Sequence, residues 1–506
     1  MPESFPPSQE TTPSTEGWKT LVTGESGLFF GVIALIVLLH AMNALLMSTV
    51  LPSAVADIGG VAYMGWATSI FMIASVTAAA GAGRLKLDIG GRNALLVGAL
   101  IFLIGCLLCA FAPSMWVLIL GRFFQGFGGG LMAALSYALI GNLFPETLWP
   151  RIFATLSGVW GVAALAGPFI GGMTTALGSW RLAFFIISFM ASLMLIAIYW
   201  RFPSLKADEK KTDTSATHAY PLLRLCLIAL SILLVSIAST QDQPFSIALF
   251  GLSGIAAFII MKIIDARAPN PLLPTNAFTT NSVVGLGLWI ALLLSMANDP
   301  FALFGPLFLQ TIHGLTPLQA GYMVAIEAMS WTLVAVLVAS LPDRYQPGLI
   351  IAGALVMTVG LLGASRFLPD GPLFMIVPVA ILLGGGIGGC WAFLIQRVMS
   401  FAKSGEEDIA ASAVATTQMI GIAFGAVIAG LGANMAGLAQ GITLEATRNA
   451  AFWVPVIFVP VTLGAGVAAY RLTQRERVET ALISKASHSS NISNSTNISH
   501  STNIEV

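Results

Sequence analysis

The stretch NALLVGALIFLIGCLLCAFA, Asn93 to Ala112, runs its whole length without an Asp, Glu, Lys or Arg and ends against Pro113. An α-helix needs roughly 20 such residues to cross the hydrocarbon core of a bilayer. Outward from this run, thirteen more apolar runs follow one another between charged, Pro-containing or turn-like segments. The seventh, Leu222 to Ile237, and the eleventh, Gly348 to Gly363, are the shortest. The expected fold is therefore an all-α polytopic membrane protein with fourteen transmembrane helices.

Composition agrees. Of 506 residues, 57% are apolar and 9% are Asp, Glu, Lys or Arg, with a mean hydropathy of +0.87. A soluble domain carries roughly 25% charged residues, so most of this surface faces lipid. Lys plus Arg and Asp plus Glu are equal at 23 each, which gives no basic field for a nucleic acid. Cys106, Cys109, Cys226 and Cys390 all fall in apolar runs and read as small packing residues, with no metal site expected.

With the N-terminus in the cytoplasm, nineteen of the 23 Lys and Arg fall on that side. Arg181, Arg366 and Arg448 fall outside, and Arg122 lies within a span. That asymmetry follows the positive-inside rule and places both termini in the cytoplasm; the family resemblance drawn below implies the inner (cytoplasmic) membrane. Residues 1–26 form a Pro/Ser/Thr/Glu-rich tail that does not read as a cleaved signal. Residues 27–200 hold six spans, 201–281 a central loop with spans seven and eight, and 282–471 six more. Residues 472–506 end in a Ser/Asn/Thr repeat, expected to be disordered, whose sequons at Asn491, Asn494 and Asn497 read as accidental.

The two six-helix blocks share a mark. Asp88 precedes Gly98-Ala99-Leu100 by ten residues, and Asp343, next to Arg344, precedes Gly353-Ala354-Leu355 by ten. A further Gly follows each, at Gly105 and Gly360. This reads as a repeat of two pseudo-symmetric halves with a two-helix insertion, an architecture that places a substrate site near the midplane between halves.

Among Asp, Glu, Lys and Arg, three residues lie well inside spans: Arg122, Asp299 and Glu327. Asp299 is 12 residues before Thr311 and Glu327 is 10 after Pro317, so both lie roughly 15–18 Å deep at ~1.5 Å per residue. Intramembrane acids mark proton or ion pathways, and a carboxyl away from water and beside a second acid holds its proton more readily, as proton coupling requires. The alternatives are a neutral hydrogen-bonded acid for Glu327 and a cap on a broken helix for Asp299, flanked by Asn298 and Pro300. His40 is read either as a titrating group or as a packing residue on an apolar helix.

Three motifs remain. The loop after span two reads GRLKLDIGGR, Gly83 to Arg92. Span four reads LILGRFFQG, Leu118 to Gly126, followed by Gly128-Gly129-Gly130. Span five carries Gly158 and Gly161 and then GPFIGG, Gly167 to Gly172. Together they resemble the major facilitator superfamily, specifically its fourteen-helix drug:proton antiporter branch, over nearly the whole chain. Ser179-Trp180-Arg181 and Pro317-Leu318-Gln319-Ala320-Gly321 resemble the same branch.

The resemblance implies gating roles for Asp88, Gly91 and Arg92, with Asp343 and Arg344 in the equivalent loop, and for Gly167, Pro168, Gly171 and Gly172 of the exporter element. In the first loop Ile89 replaces the family Arg, while Gly83 and Leu85 sit one position early. Asp88 is expected to pair with Arg92 or with backbone N–H groups. The resemblance further implies that Arg122 and Gln125 belong to a polar cavity, to which Asn43 and Trp331 are added as candidates. Asn43 stands nine residues before Pro52, where the branch has an Asp, so proton coupling shifts to Glu327, Asp299 or His40. Asn43 and Arg122 come out at similar depth and are expected to make a polar contact.

The implied activity is proton-coupled export of hydrophobic or cationic small molecules by alternating access. The alternatives are proton-coupled uptake of a metabolite and a non-transporting receptor or scaffold. The proton gradient supplies the energy, with no cofactor. No Gly-rich loop ending in Lys-Ser/Thr and no metal-spaced His or Cys cluster is present, so neither ATP binding nor an enzyme is expected. The partners are the lipid bilayer and a small molecule, and nothing in the sequence specifies an oligomeric state.

Overall fold

Gly59 and Gly60 both hold left-handed backbone, at φ 72° and 81°, and separate the first helix from the second. The computed structural model describes residues 24–145, 148–201, 221–241, 243–269, 271–339, 341–403 and 406–501. The first 23 residues and most of the central loop (202–220) lie outside them.

Within the described residues the chain forms fourteen long α-helices and no strand. These are α1 (Gly24–Ile58), α2 (Met64–Ile89), α3 (Gly91–Ala110), α4 (Met115–Leu143), α5 (Trp149–Ala176), α6 (Arg181–Arg201) and α7 (Leu222–Ala238). There follow α8 (Pro244–Asp265), α9 (Val283–His313), α10 (Pro317–Val338), α11 (Gln346–Asp370), α12 (Ile376–Ser400), α13 (Glu407–Met435) and α14 (Leu444–Ser501). Thirteen are long and apolar enough to cross a membrane, and α7, at 17 residues, is the shorter apolar one. The eleventh helix, expected to stop at Gly363, runs 25 residues to Asp370.

Helices α1 to α6 pack among themselves, chiefly α1 on α5, α2 and α3 on α4, and α3 on α6. Helices α9 to α14 do likewise, with α9 on α13 and α14, α10 and α11 on α12, and α11 on α14. The α3–α4 and α11–α12 contacts use matching glycines: a Cβ on Gly98 would lie 3.3 Å from Gly128 O, and one on Gly353 2.5 Å from Gly386 O. Helices α7 and α8 form a hairpin laid against α2 and α13. Arg84, Lys86, Arg92, Arg224, Lys262, Arg397 and Arg471 gather toward one end of the bundle, here the basic end. The turns at 59–63, 314–316 and 436–443 mark the other, charge-poor end.

The two groups of helices meet along α2–α13 and α5–α10. Near the charge-poor end these seams are tight: a Cβ on Gly65 would fall 2.5 Å from Ala426 O, and one on Gly172 2.5 Å from Leu318 Cα. Ser69 Oγ also donates to Ala423 O at 2.9 Å. Farther toward the basic end, Gly158 and Gly161 of α5 face open space.

The tail departs from expectation. α14 continues as helix to Ser501, through the Ser/Asn-rich stretch expected to be disordered. Its first turns beyond 471 are tied to the bundle: Leu472 is buried, Glu476 Oε2 accepts from Arg397 Nε at 3.0 Å, and Glu479 Oε1 accepts from Val283 N at 3.3 Å. With those turns fixed, each further residue adds one helical hydrogen bond without a new nucleation step.

Candidate functional site

The third turn of α4 puts Arg122 and Gln125 on its buried face, three residues apart and so side by side. Arg122 Nη1 donates to Gln125 Oε1 at 2.9 Å, and Asn43 Nδ2 from α1 reaches the same oxygen at 3.4 Å. The expected Asn43–Arg122 contact is thus made through Gln125. Arg122 Nε donates to Ala67 O at 3.2 Å, and the guanidinium lies 4.1 Å over the Phe71 ring. Gln125 Nε2 turns to Cys106 Sγ at 3.4 Å. The guanidinium is therefore held by neutral oxygens and an aromatic face.

Asn43, Arg122 and Gln125 are sealed, at 0%, 1% and 0% exposure, and form a packed polar cluster in this structure, where a cavity lining was expected. His40 lies beside the cluster, with its Nδ1 buried and without a hydrogen-bond partner among the described residues. Its ring stacks on Phe71 with centroids 5.5 Å apart, and a Cβ on Gly129 would fall 2.5 Å from its Nδ1. Phe71, Cys106 and Ala67 carry no sequence mark, because their contribution is a ring face, a sulfur and a backbone oxygen.

The other group of helices holds the acids. Glu327, on α10, is 3% exposed and its Oε1 has no hydrogen-bond partner among the described residues. Asp299, on α9, is half-buried, with Oδ2 enclosed and likewise unpartnered. Helices α9 and α10 pack against each other, so the two acids stand on neighbouring helices. α9 runs unbroken through Pro300, and Asp299 therefore does not cap a broken helix. Close approach of α12 fixes Glu327: a Cβ on Gly384 would fall 1.9 Å from Glu327 O. Ser330 Oγ donates to Ile381 O at 2.9 Å one turn on. Trp331 is half-buried with its ring 5.8 Å from that of Trp391.

The motif loops are placed differently from expectation. Asp88 Oδ1 pairs with Arg84 Nε at 3.0 Å, one helical turn back. Arg92, in the first turn of α3 after the buried Gly91, instead donates to Tyr199 O and lies 5.2 Å over the Tyr199 ring, stapling α3 to α6. Only the backbone of Asp343 is described, in a 3₁₀ turn, and Arg344 is exposed over the ring of Tyr345. In the Gly167–Gly172 segment, Gly167 and Gly171 admit α1: a Cβ on Gly171 would lie 2.1 Å from Thr49 Oγ1. Gly172 admits α10, and Pro168 packs beside Gly321 of α10. This element therefore sits where α1, α5 and α10 meet.

A recess of about 640 Å³ opens at the charge-poor end between Pro52–Val61 on one side and Leu307, Gln310, Thr311 and 439–442 on the other. None of the expected cavity residues lines it.

The sequence profile of the Major Facilitator Superfamily matches residues 33–426. The chain belongs to the major facilitator superfamily. It is accordingly a membrane transport protein and not an enzyme. It is 35% identical over 479 residues to a probable multidrug-efflux transporter of Mycobacterium tuberculosis, spanning 92% of this chain and 99% of that one. It is 26% identical to the multidrug transporter protein MdtP of Bacillus subtilis, spanning 77% of this chain and 72% of the relative. Among solved structures, a peptide transporter POT in complex with sulfate superposes with a TM-score of 0.64 at 15% identity, covering 90% of this chain and 97% of that one. The xylose transporter XylE of E. coli does so at 0.58 and 14%, covering 88% and 98%.

Proposed function

We propose that this superfamily member is a proton-coupled secondary transporter of the cytoplasmic membrane that exports hydrophobic or cationic small molecules by alternating access. The observation that carries the reading is the Asp299–Glu327 pair, two acids with enclosed, unpartnered oxygens in the bundle interior. Neither carboxyl has an ion partner among the described residues, and a carboxyl so placed exchanges a proton or a cationic ligand as the site meets water from one side and then the other. The N-terminal cluster supplies no acid, since Asn43 stands where the branch has Asp, and coupling is assigned to the C-terminal helices. Export is favoured by the GPFIGG element at the α1–α5–α10 junction and by the names of the multidrug relatives. The basic end faces the cytoplasm, so that the tight seams close the outer side.

The test is proton release from detergent-purified protein on adding lipophilic cations, for wild type, Glu327→Gln and Asp299→Asn. Release by the wild type that is lost in either variant supports antiport and identifies the carrier. Release unchanged in both variants overturns the assignment of the carrier. The direction of substrate accumulation in everted membrane vesicles separates export from uptake.

A further inference from the structure

Asn434, in the last turn of α13, places one side-chain nitrogen between three parts of the molecule. Its Nδ2 donates to Ala62 O, just before α2, at 3.0 Å and to Ser239 O, at the end of α7, at 2.8 Å. A carboxamide nitrogen carries two hydrogens, one for each carbonyl. Four residues on from Ala62, in the first turn of α2, Trp66 Nε1 donates to Ser236 O at 2.9 Å. The indole is 8% exposed and wedged edge-on against Tyr63 and Trp116. The α7–α8 hairpin is thereby bonded to the N-terminal helices through Trp66 and to the C-terminal helices through Asn434.

These bonds top the α2–α13 seam, where Gly65 against Ala426 and Ser69 against Ala423 leave no slack. Beside it lies the recess, whose wall at Gly59–Val61 leads directly into Ala62. If α2 and α13 part at this end, Ala62 O and Ser239 O cannot both stay on Asn434 while Ser236 stays on Trp66, because the hairpin can travel with only one of the two groups. Ala62 O and Ser239 O, once released, have only lipid or entering water to turn to, while Ser236 O keeps the Ser239 hydroxyl, and this favours the closed arrangement.

We propose that the two-helix insertion is a clasp across the charge-poor seam, with Asn434 and Trp66 as its two fastenings, and that it sets the balance between the state closed at this end and the state open at this end. This goes beyond the transport reading and does not depend on which substrate or ion is carried.

The test is the distance between spin labels at Ala56→Cys and Gln440→Cys, on either side of the recess, in full-length protein in nanodiscs with Cys226→Ser. Wild type should show mainly the short distance. Asn434→Leu, which keeps the volume and removes the donor, should raise the population at longer distance at least fivefold. Trp66→Phe, which keeps an aromatic ring without the N–H, should do the same and tests the clasp should Asn434→Leu fail to fold. Asn434→Gln, which restores a carboxamide, should recover part of the short population. Distances unchanged in folded Asn434→Leu and Trp66→Phe would overturn the clasp and leave the hairpin a passive packing element.

Discussion

Asn43 and Arg122 donate to one oxygen, Oε1 of Gln125, at 3.4 and 2.9 Å. A buried guanidinium and the Asn43 carboxamide thus share a single acceptor on the guanidinium's own helix. The charge is dispersed over Gln125, Ala67 O and the Phe71 face. Such a cluster holds α1, α2 and α4 in register around Arg122 without needing a proton to come or go.

Gln125→Leu should therefore destabilise the protein by about 1.5–3 kcal/mol, the usual contribution of a buried hydrogen bond to a charged group. Thermal unfolding in detergent reads this directly. Gln125→Glu keeps the acceptor and gives Arg122 an ion partner, and should melt at or above the Gln125→Leu temperature. Indistinguishable melting of Gln125→Leu and wild type would mean that this oxygen does not hold the cluster.

What the sequence disclosed and what it hid divide along physical lines. Span number was legible because lipid demands long apolar runs, and even the short α7 was visible. That Asp299 and Glu327 lie in the interior of neighbouring helices was legible because charge is so rare in these helices that each intramembrane acid stands out. The Asp88 pairing was not, because helical phase puts Arg84 one turn away on the same face while Arg92 begins a new helix and reaches Tyr199. Asn434 and Trp66 were invisible for another reason: their partners are backbone carbonyls, which no side-chain pattern announces.

Glycines that look alike in sequence should behave oppositely on substitution. A Cβ on Gly384 would meet Glu327 O at 1.9 Å, whereas one on Gly158 meets nothing within 4 Å. Gly384→Ala should force α12 off α10 and destabilise by about 1–3 kcal/mol, the range for overpacking. Gly158→Ala should be neutral or slightly stabilising through higher helix propensity. Melting temperatures of the two purified variants decide the matter, and equal shifts would contradict the packing described.

The base of the α7–α8 hairpin rests on Asp265, which is 1% exposed. Its oxygens accept from Arg224 Nη1 at 2.6 Å, Leu272 N at 2.8 Å and Leu273 N at 2.9 Å. Asp265→Ala would remove the ion partner of a mostly buried guanidinium and the acceptor of two backbone donors, a loss of about 3–5 kcal/mol by analogy with broken buried ion pairs. Asp265→Asn, retaining one oxygen acceptor, should lose less. Limited proteolysis should cut the segment 266–282 faster in Asp265→Ala than in wild type, and an unchanged cleavage rate would show that the segment is held by other contacts.

The end of the helical bundle is set by α14 and not by the last apolar residue. Arg397, 7% exposed, is bound by Glu476 at 3.0 Å and donates to Gln346 Oε1 at 2.9 Å, and Glu479 accepts the backbone N–H of Val283 in the opening turn of α9. These ties join α9, α11, α12 and α14 at the basic end, and all of them lie at or before Glu479. A chain ending at Thr480 should fold, melt and transport as the full-length protein does. A chain ending at Arg471 strips Arg397 of its ion partner and uncovers the site of Leu472, and should lose about 3 kcal/mol or more. Melting temperature and membrane yield of the two truncations measure the difference. If the chain ending at Arg471 matched the longer one, Arg397 would be adequately held by Gln346 alone, and the anchoring assigned to Glu476 would have to be withdrawn.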